Sequence, residues 1–546
     1  MKPWEATPQQ TVQVSGSQRI DLRPQALRQR LSPLTPSTGD LVAGLSVFLI
    51  LIPQGLAYAE LAGLPSHLGL VAGTIPALVA ALFVSSPYLQ TGPTALTALL
   101  VLGPLSQLAE TGSASYVELA ALLALLIGLA RVLFGVLRLG IVAYFISQPV
   151  LTGFTTGAAL LIAGTQIPTI FGVDVPRSAA DGGSRAVMAR AFDVLDDPSL
   201  WNTRSVGLAT LTFVLTLGLR RVHKLFPSVL VAVGVAWMLD AALGSETAQI
   251  GSIPNDLPSF SFDLPFDRTG DLIVPALLIA MVGFVEPALI CRTYATAKRQ
   301  RWSSNQEFIS QGVANIAAAT TGTFPVGGSF GRSSLNERAG ATSRWSGAIT
   351  GITMLVFLPF AGVLETIPRA ALAAVVVSAA VSLVRLDHIA AMWQWSRPQA
   401  ATAAATLIAT LALDPRIDHA IEFGIALSVG VHLWREIQVY VSVDRVDDTT
   451  LRISPHGVMW FGSTNRIVEH ILAVLADNPG ITTLIVDLKG VGRLDVTAAI
   501  EMADLAIDQN VNGIAVRFET VPPHAQRLFD SVLDKQEQQE TTSDTS

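Results

Sequence analysis

Two interrupted apolar stretches decide the fold: Gln90-Thr91-Gly92-Pro93-Thr94-Ala95-Leu96-Thr97 and Thr323-Phe324-Pro325-Val326-Gly327-Gly328-Ser329-Phe330-Gly331-Arg332-Ser333-Ser334. Each lies in a hydrophobic context and breaks a helix there with Gly and Pro. They stand about half a chain apart. Broken helices at bilayer depth are tolerated where they line a cavity. A matched pair in two halves of a chain points to a binding site between inverted halves. The second stretch adds Arg332, a cation able to hold an anion.

Working outward, the surroundings read as a membrane protein. Half of the 546 residues are hydrophobic and 14% are charged, against about 25% charged in soluble domains. Runs such as 42–51, 117–129 and 206–219 hold almost no ionisable group. Several reach the roughly 20 residues that cross ~30 Å of hydrocarbon. The apolar runs read as fourteen spans, near 40–60, 68–86, 92–108, 117–138, 142–171, 206–222 and 227–243, then 271–293, 308–322, 328–340, 345–365, 368–385, 399–413 and 419–437. Seven spans per half make the second half enter from the opposite side, so similar halves form a 7+7 inverted repeat.

Charge orients the chain. The first 38 residues are polar, carry Lys2, Arg19, Arg23, Arg28 and Arg30, and read as a cytoplasmic segment with no cleavable signal. Arg220, Arg221 and Lys224, then Lys298, Arg299 and Arg301, then Arg338 and Arg344 fall in loops on that same side. From residue 443 the composition turns soluble. Strands are expected at 451–453, 458–461, 483–488 and 513–518, with helices at 466–475 and 497–507, the pattern of a small α/β domain over 443–534. The tail 535–546 is expected to be disordered. Both termini are then cytoplasmic and the chain sits in the inner or plasma membrane.

Among ionisable residues, Glu286 lies within the apolar run 278–290. A carboxylate at that depth should face a polar cavity or a partner, which suits proton coupling. The plainer alternative is a helix-end carboxylate satisfied by Arg292 or a backbone amide. Short helices entering after Gly92-Pro93 and after Ser329 would aim free N–H groups and positive dipole ends at one place. Arg332 adds a full charge, and Thr94, Ser329 and Ser333 add hydroxyls. The alternative for Arg332 is neutralisation by Glu337 or Glu286. Gln54 and Tyr58 are four apart in the first span and share a helical face, although a lone Tyr is more often packing. Glu60 reads as interfacial. The single cysteine, Cys291, reads as a buried inert thiol and excludes a disulfide framework. There is no GxxxxGK[ST], HExxH or GxSxG motif, and the eight histidines lack ligand spacing. Neither an enzyme nor a metal or organic cofactor is expected, and no nucleic-acid partner.

Several of these residues together resemble the SulP anion permeases, the family of sulfate permeases, cyanobacterial bicarbonate transporters and prestin. The resemblance is carried by Pro53-Gln54-Gly55-Leu56-Ala57-Tyr58-Ala59 with Ala62-Gly63-Leu64-Pro65, by Gly92-Pro93-Thr94, and by Gly328-Ser329-Phe330-Gly331-Arg332-Ser333 followed by Asn336 and Ala339-Gly340-Ala341. The C-terminal part resembles a STAS domain. The resemblance spans about 38–533. It implies a core and a scaffold domain, a usual homodimer, and an anion held between the third and tenth half-helices. It places Gln54, Tyr58, Thr94, Leu96, Ser329, Phe330, Gly331 and Arg332 at the substrate and Glu286 at the ion-coupling position. Gly331 stands where the family usually has Ser, and Val71 where it often has Tyr. Thr497, in Asp495-Val496-Thr497, aligns with a phosphorylated Ser of signalling relatives. A helix-start Thr worth a cap is the plainer reading.

The expected function is a secondary transporter of a small oxyanion, sulfate first, coupled to protons or to sodium. Alternatives on the same fold are sodium-dependent bicarbonate, dicarboxylate and chloride exchange. A uracil- or urate-type permease shares the architecture but not Arg332 or the STAS-like tail. An anion-responsive STAS signalling protein with little flux is the alternative of a different class.

Overall fold

The computed structural model describes residues 35–140, 146–173, 187–222, 226–260, 263–414, 416–438, 440–523 and 525–532. Nearly all of the expected cytoplasmic N-terminal segment and the whole expected disordered tail lie outside these residues. The chain divides into two compact units, 1–425 and 426–546.

The first unit is helical. Its first half comprises α1 (Thr38–Leu61), α2 (His67–Ala72), α3 (Ile75–Phe83), strand β1 (Thr91–Gly92), α4 (Ala95–Leu105), α5 (Ala114–Val136), α6 (Gln148–Phe171), α7 (Val187–Asp196), α8 (Thr203–Val222) and α9 (Ser228–Ala242). Its second half comprises α10 (Thr269–Lys298), α11 (Ser304–Thr320), strand β2 (Gly327–Gly328), α12 (Phe330–Arg338), α13 (Trp345–Phe357), α14 (Arg369–Val381), α15 (Leu386–Trp395), α16 (Arg397–Ala412) and α17 (Ile417–Ile437). Six helical stretches among the described residues are long and apolar enough to cross a membrane: 38–61, 114–136, 148–171, 266–298, 345–364 and 369–395. Side chains such as Met238, Phe360 and Ile408 are exposed on this unit, an apolar surface suited to lipid. The protein is a multi-pass helical membrane protein.

Helix starts follow local chemistry. Ser37 and Asp40 form a reciprocal capping box on α1, and Ser113 and Ser303 cap α5 and α11 through side-chain oxygens. Each satisfies N–H groups that have no partner inside the helix. Asp40 also accepts from the N–H groups of Thr342 and Ser343 at 2.8 and 2.9 Å, which ties α1 to the turn after α12.

Helices α1–α5 and α10–α13 pack mainly on one another, and α6–α9 with α14–α16 form a second group; α1 and α4 touch both. Within the first group, interfaces are built on small residues, because in lipid the gain comes from close van der Waals approach rather than from burial. The tightest is between Gly55 of α1 and Gly69 of α2, where a Cβ on Gly55 would stand 2.8 Å from the Gly69 carbonyl oxygen and a Cβ on Gly69 would strike the Gly55 backbone.

The second unit begins within α17 and contains β3 (Tyr440–Arg445), β4 (Thr450–Met459), α18 (Thr464–Asp477), β5 (Thr483–Asp487), β6 (Val491–Leu494), α19 (Val496–Val511) and β7 (Ala515–Glu519). The strand order is β3-β4-β5-β7, with β6 also on β4. Only the β3–β4 pair is antiparallel. Leu451 and Ile453 from the sheet, Ile467 and Ile471 from α18 and Met502 from α19 share one core. The two strands expected at 451–453 and 458–461 are one strand. Between them Gly457 takes a φ of 114°, and pairing continues from there onto β6, where the register steps past Gly492. The extra residue of this irregularity is Gly492, on β6.

Gly69→Val should abolish the monodisperse peak in fluorescence-detected size-exclusion chromatography, since overpacking costs about 1–3 kcal/mol even when side chains can yield and here backbone is struck. Gly218→Ala in α8, where no atom lies within 4 Å of the added Cβ, should leave the peak intact and stability unchanged or higher by roughly 0.5–1 kcal/mol.

Candidate functional site

The two broken segments meet. Thr91 pairs with Gly328 and Gly92 with Gly327 in an antiparallel two-stranded ladder. Gln90 extends it, accepting from the Ser329 N–H at 3.0 Å and donating its own N–H to Ser333 Oγ at 3.0 Å. Immediately after this ladder, α4 starts from Thr94 and α12 from Ser329. Two helix N-termini are thereby set beside one crossing; the start of α4 is buried, whereas Phe330 and Gly331 of α12 are exposed.

Their donors are only partly used. Thr94 Oγ1 accepts from the Thr97 N–H at 3.2 Å and bonds Thr97 Oγ1 at 2.9 Å. The Ser329 hydroxyl makes no bond to the α12 backbone. Phe330 N–H donates to Glu286 Oε1 at 3.0 Å, and Glu286 lies midway along α10 rather than at a helix end. Helix geometry leaves further first-turn N–H groups on both helices without intrahelical acceptors, and both positive dipole ends act there.

Arg332 lies in the first turn of α12 with 1% of its surface exposed. Nη1 reaches Gln54 Oε1 at 3.5 Å, and among the described residues Nε and Nη2 have no hydrogen-bond partner. Nη2 stands over Gly92, 3.4 Å from where a Cβ would be. Glu337, one of the two carboxylates considered as its neutraliser, pairs instead with Lys298 at 2.7 Å. A buried guanidinium with two free donor positions is expensive in an apolar interior unless an anion completes it.

The structure thus brings together Gln54, Thr94, Ser329, Arg332 and, through the Phe330 amide, Glu286. Tyr58 is buried one turn beyond Gln54, and Leu96 is buried in the first turn of α4. The Phe330 side chain is 44% exposed, so only its N–H is tied to this network. At Gly331 nothing lies within 4 Å of the absent Cβ. Thr497 is exposed in the first turn of α19 and is not its cap; Asp495 is, accepting from Ala498 N–H at 2.8 Å and Phe461 N–H at 3.2 Å. Glu501, one turn on from Thr497, has its carboxyl pushed up by burial and by the Asp495 and Asp504 carboxylates. Cys291 is buried, as expected. Glu60 bonds Ser66 and pairs with Arg369 at 3.2 Å.

Four supporting residues were not singled out in the sequence. Arg131 is fully buried and donates to the carbonyls of Ala280, Val326 and Ile279 at 3.1, 3.3 and 3.3 Å. It fits because Gly283 has no side chain; a Cβ there would be 2.7 Å from Nη2. Asn315 clasps Val326, its Oδ1 accepting and its Nδ2 donating, both at 3.0 Å. Glu307 and Gln311 extend the same polar face to Thr91. The legible signals were a single Arg inside the apolar run 119–137 and the four-residue spacing of Glu307, Gln311 and Asn315.

With this geometry established, resemblances to known proteins take on meaning. The profile described as "Sulfate permease family" matches residues 38–406. "Sulfate transporter 4.1, chloroplastic" of Arabidopsis thaliana is 33% identical over 405 residues, 72% of this chain and 58% of that protein. "Probable sulfate transporter Rv1739c" of Mycobacterium tuberculosis is 35% identical over 396 residues, 72% of this chain and 69% of that protein. The chain therefore matches less than two thirds of the Arabidopsis protein's length. Among solved structures, murine Slc26a9 in an inward-facing state aligns with a TM-score of 0.84 at 19% identity, over 95% of this chain and 92% of that one. The transmembrane domain of the cyanobacterial bicarbonate transporter BicA aligns at 0.60 and 21%, over 72% of this chain and 97% of that one. At those identities the likeness is one of fold.

Asn315→Ala should lower thermal stability by roughly 1–3 kcal/mol, because the Val326 N–H is left unpaired. The check is a melting curve of the purified protein in detergent.

Proposed function

Because this chain belongs to the sulfate permease family, a family of permeases rather than enzymes, we propose that it is a secondary active transporter of a small inorganic oxyanion, sulfate first. The observation that carries this reading is the buried Arg332 guanidinium with Nε and Nη2 unpartnered beside two helix N-termini. A tetrahedral oxyanion supplies several acceptors at once, which suits donors arriving from two helices and a planar fork. Gln54, Tyr58, Thr94, Leu96, Ser329, Phe330, Gly331 and Arg332 form its site in this proposal. The names of the relatives, sulfate transporters in a plant and a mycobacterium, favour sulfate over bicarbonate.

Coupling follows from competition for one donor. Charged Glu286 holds the Phe330 N–H, which an anion at the start of α12 would also use. A proton on Glu286 weakens that hold and removes a like charge from the anion's surroundings. Carrying a dianion inward against 100 mV, negative inside, costs about 4.6 kcal/mol at ~2.3 per charge. Uptake therefore needs co-moving cations, and proton binding at Glu286 supplies one; sodium there is the second reading. The cycle is alternating access, with the two helix groups moving relative to one another about the site.

The topology proposed is fourteen membrane segments in a 7+7 inverted repeat over 39–440, preceded by a cytoplasmic segment, 1–38. A cytosolic STAS domain over 443–534 and a short tail follow. Both termini face the cytoplasm, the membrane is the plasma membrane, and the protein is a homodimer. Thr497 is where a regulatory phosphate would sit. The N-terminal dipole of α19 favours negative charge there, while Asp495 and Glu501 oppose it.

In a titration with radiolabelled sulfate, Arg332→Ala should weaken affinity at least tenfold; unaltered affinity would remove Arg332 from the site. Glu286→Gln should bind sulfate within a few-fold of the parent yet lose uptake driven by an inward proton gradient in proteoliposomes. Undiminished gradient-driven uptake by that variant would exclude Glu286 as the coupling group.

A further inference from the structure

Glu307 is a buried carboxylate outside the anion site that has no counter-ion among the described residues. Glu307, in the first turn of α11, is wholly buried. Its Oε2 accepts from the N–H and hydroxyl of Ser85 at 3.0 and 2.8 Å, and its Oε1 accepts from Gln311 Nε2 at 3.1 Å. From α10, the Cys291 thiol also lies against it. Among the described residues no Lys, Arg or His is paired with it. Arg131, on the neighbouring α5, is turned to the carbonyls of Ile279, Ala280 and Val326.

Gln311 connects this carboxylate to the crossing. It too is wholly buried, and its two amide hydrogens go to Glu307 Oε1 and, at 2.8 Å, to Thr91 Oγ1. Its own Oε1 has no partner. Thr91 is the β1 residue opposite Gly328, one position before Ser329.

A lone buried carboxylate charge is costly. A proton removes the charge but turns one oxygen into a donor that needs an acceptor. The unpartnered Gln311 Oε1 is that acceptor, reached when the amide turns over. Oε1 then accepts from the Glu307 hydroxyl, and the Thr91 hydroxyl, which now accepts from Gln311, donates instead. The two arrangements differ by one proton, one amide rotation and the turn of the Thr91 hydroxyl, and after the rotation Nε2 takes the place of the unpartnered oxygen.

We propose that Glu307 is a second proton-binding site of the transport cycle, distinct from Glu286, and that the anion site reads its state through Gln311 and Thr91. The proton comes from the aqueous phase onto a carboxylate oxygen and leaves by the same bond breaking. With the negative charge gone, an anion at the crossing binds more tightly, so this site makes affinity rise as pH falls. The affinity part of the inference rests on the anion-site reading above; the protonation part does not.

The test uses the purified full chain in two measurements. In pH-difference infrared spectra without anion, the parent and Glu286→Gln should share a carboxylic-acid carbonyl band that Glu307→Gln lacks and Gln311→Leu keeps. In radiolabelled sulfate binding, the slope of log affinity against pH should fall by up to about one in Glu307→Gln, the limit for a single linked proton. Gln311→Leu should show the same flattening. A band that survives Glu307→Gln, or parental slopes in both variants, overturns the proposal. Should Glu307→Gln not fold, the Gln311→Leu slope decides alone. A parent that binds no sulfate at any pH would refute the anion site, while the infrared arm would still decide whether Glu307 takes a proton.

Discussion

Two helices that begin at one crossing leave first-turn backbone N–H groups without intrahelical partners. The antiparallel pairing of Thr91–Gly92 with Gly327–Gly328 holds those two beginnings against each other. Everything chemical in the membrane unit is arranged around that contact. Asn315 and Arg131 fix Val326 on its approach, Gln90 and Ser333 extend the ladder, and Gln311 anchors Thr91. These bonds are effective because no water competes for them in an apolar interior.

The same interior forces each buried charge to find a resolution, and four residues find different ones. Arg131 spends its guanidinium on backbone carbonyls. Glu286 takes the first N–H of α12. Glu307 collects neutral donors and, among the described residues, no cation. Arg332 alone keeps donors with nothing to donate to. That contrast separates an arginine whose donors are used from one with donors to spare, although both are fully buried and both sit in helices. The distinction lies in whether carbonyl oxygens are within reach.

The second unit follows the ordinary logic of a small α/β domain, and its one surprise is instructive. Ser454-Pro455-His456-Gly457 carries the residues of a turn, yet the strand runs through it, and the extra residue in the pairing is Gly492 on β6. Local punctuation permits either outcome; the partner strands choose. At the start of α19 the expected roles also shift, since Asp495 takes the cap and leaves the Thr497 hydroxyl exposed.

Much was legible beforehand. Long uncharged runs cannot remain in water, so a helical membrane protein followed from composition. Gly and Pro inside two such runs marked where α4 and α12 begin and where their chains cross. Arg332, Glu286 and Gln54 stood out because ionisable or polar groups at that depth need a reason. Not legible were the partners: that Glu337 goes to Lys298, that Glu286 holds the Phe330 amide, that Arg131 is absorbed by carbonyls, and that Glu307 reaches Thr91 through Gln311. Sequence sets how much each residue loses on leaving water. Which donor meets which acceptor depends on contacts between segments some 40 to more than 200 positions apart, and only tertiary packing makes those.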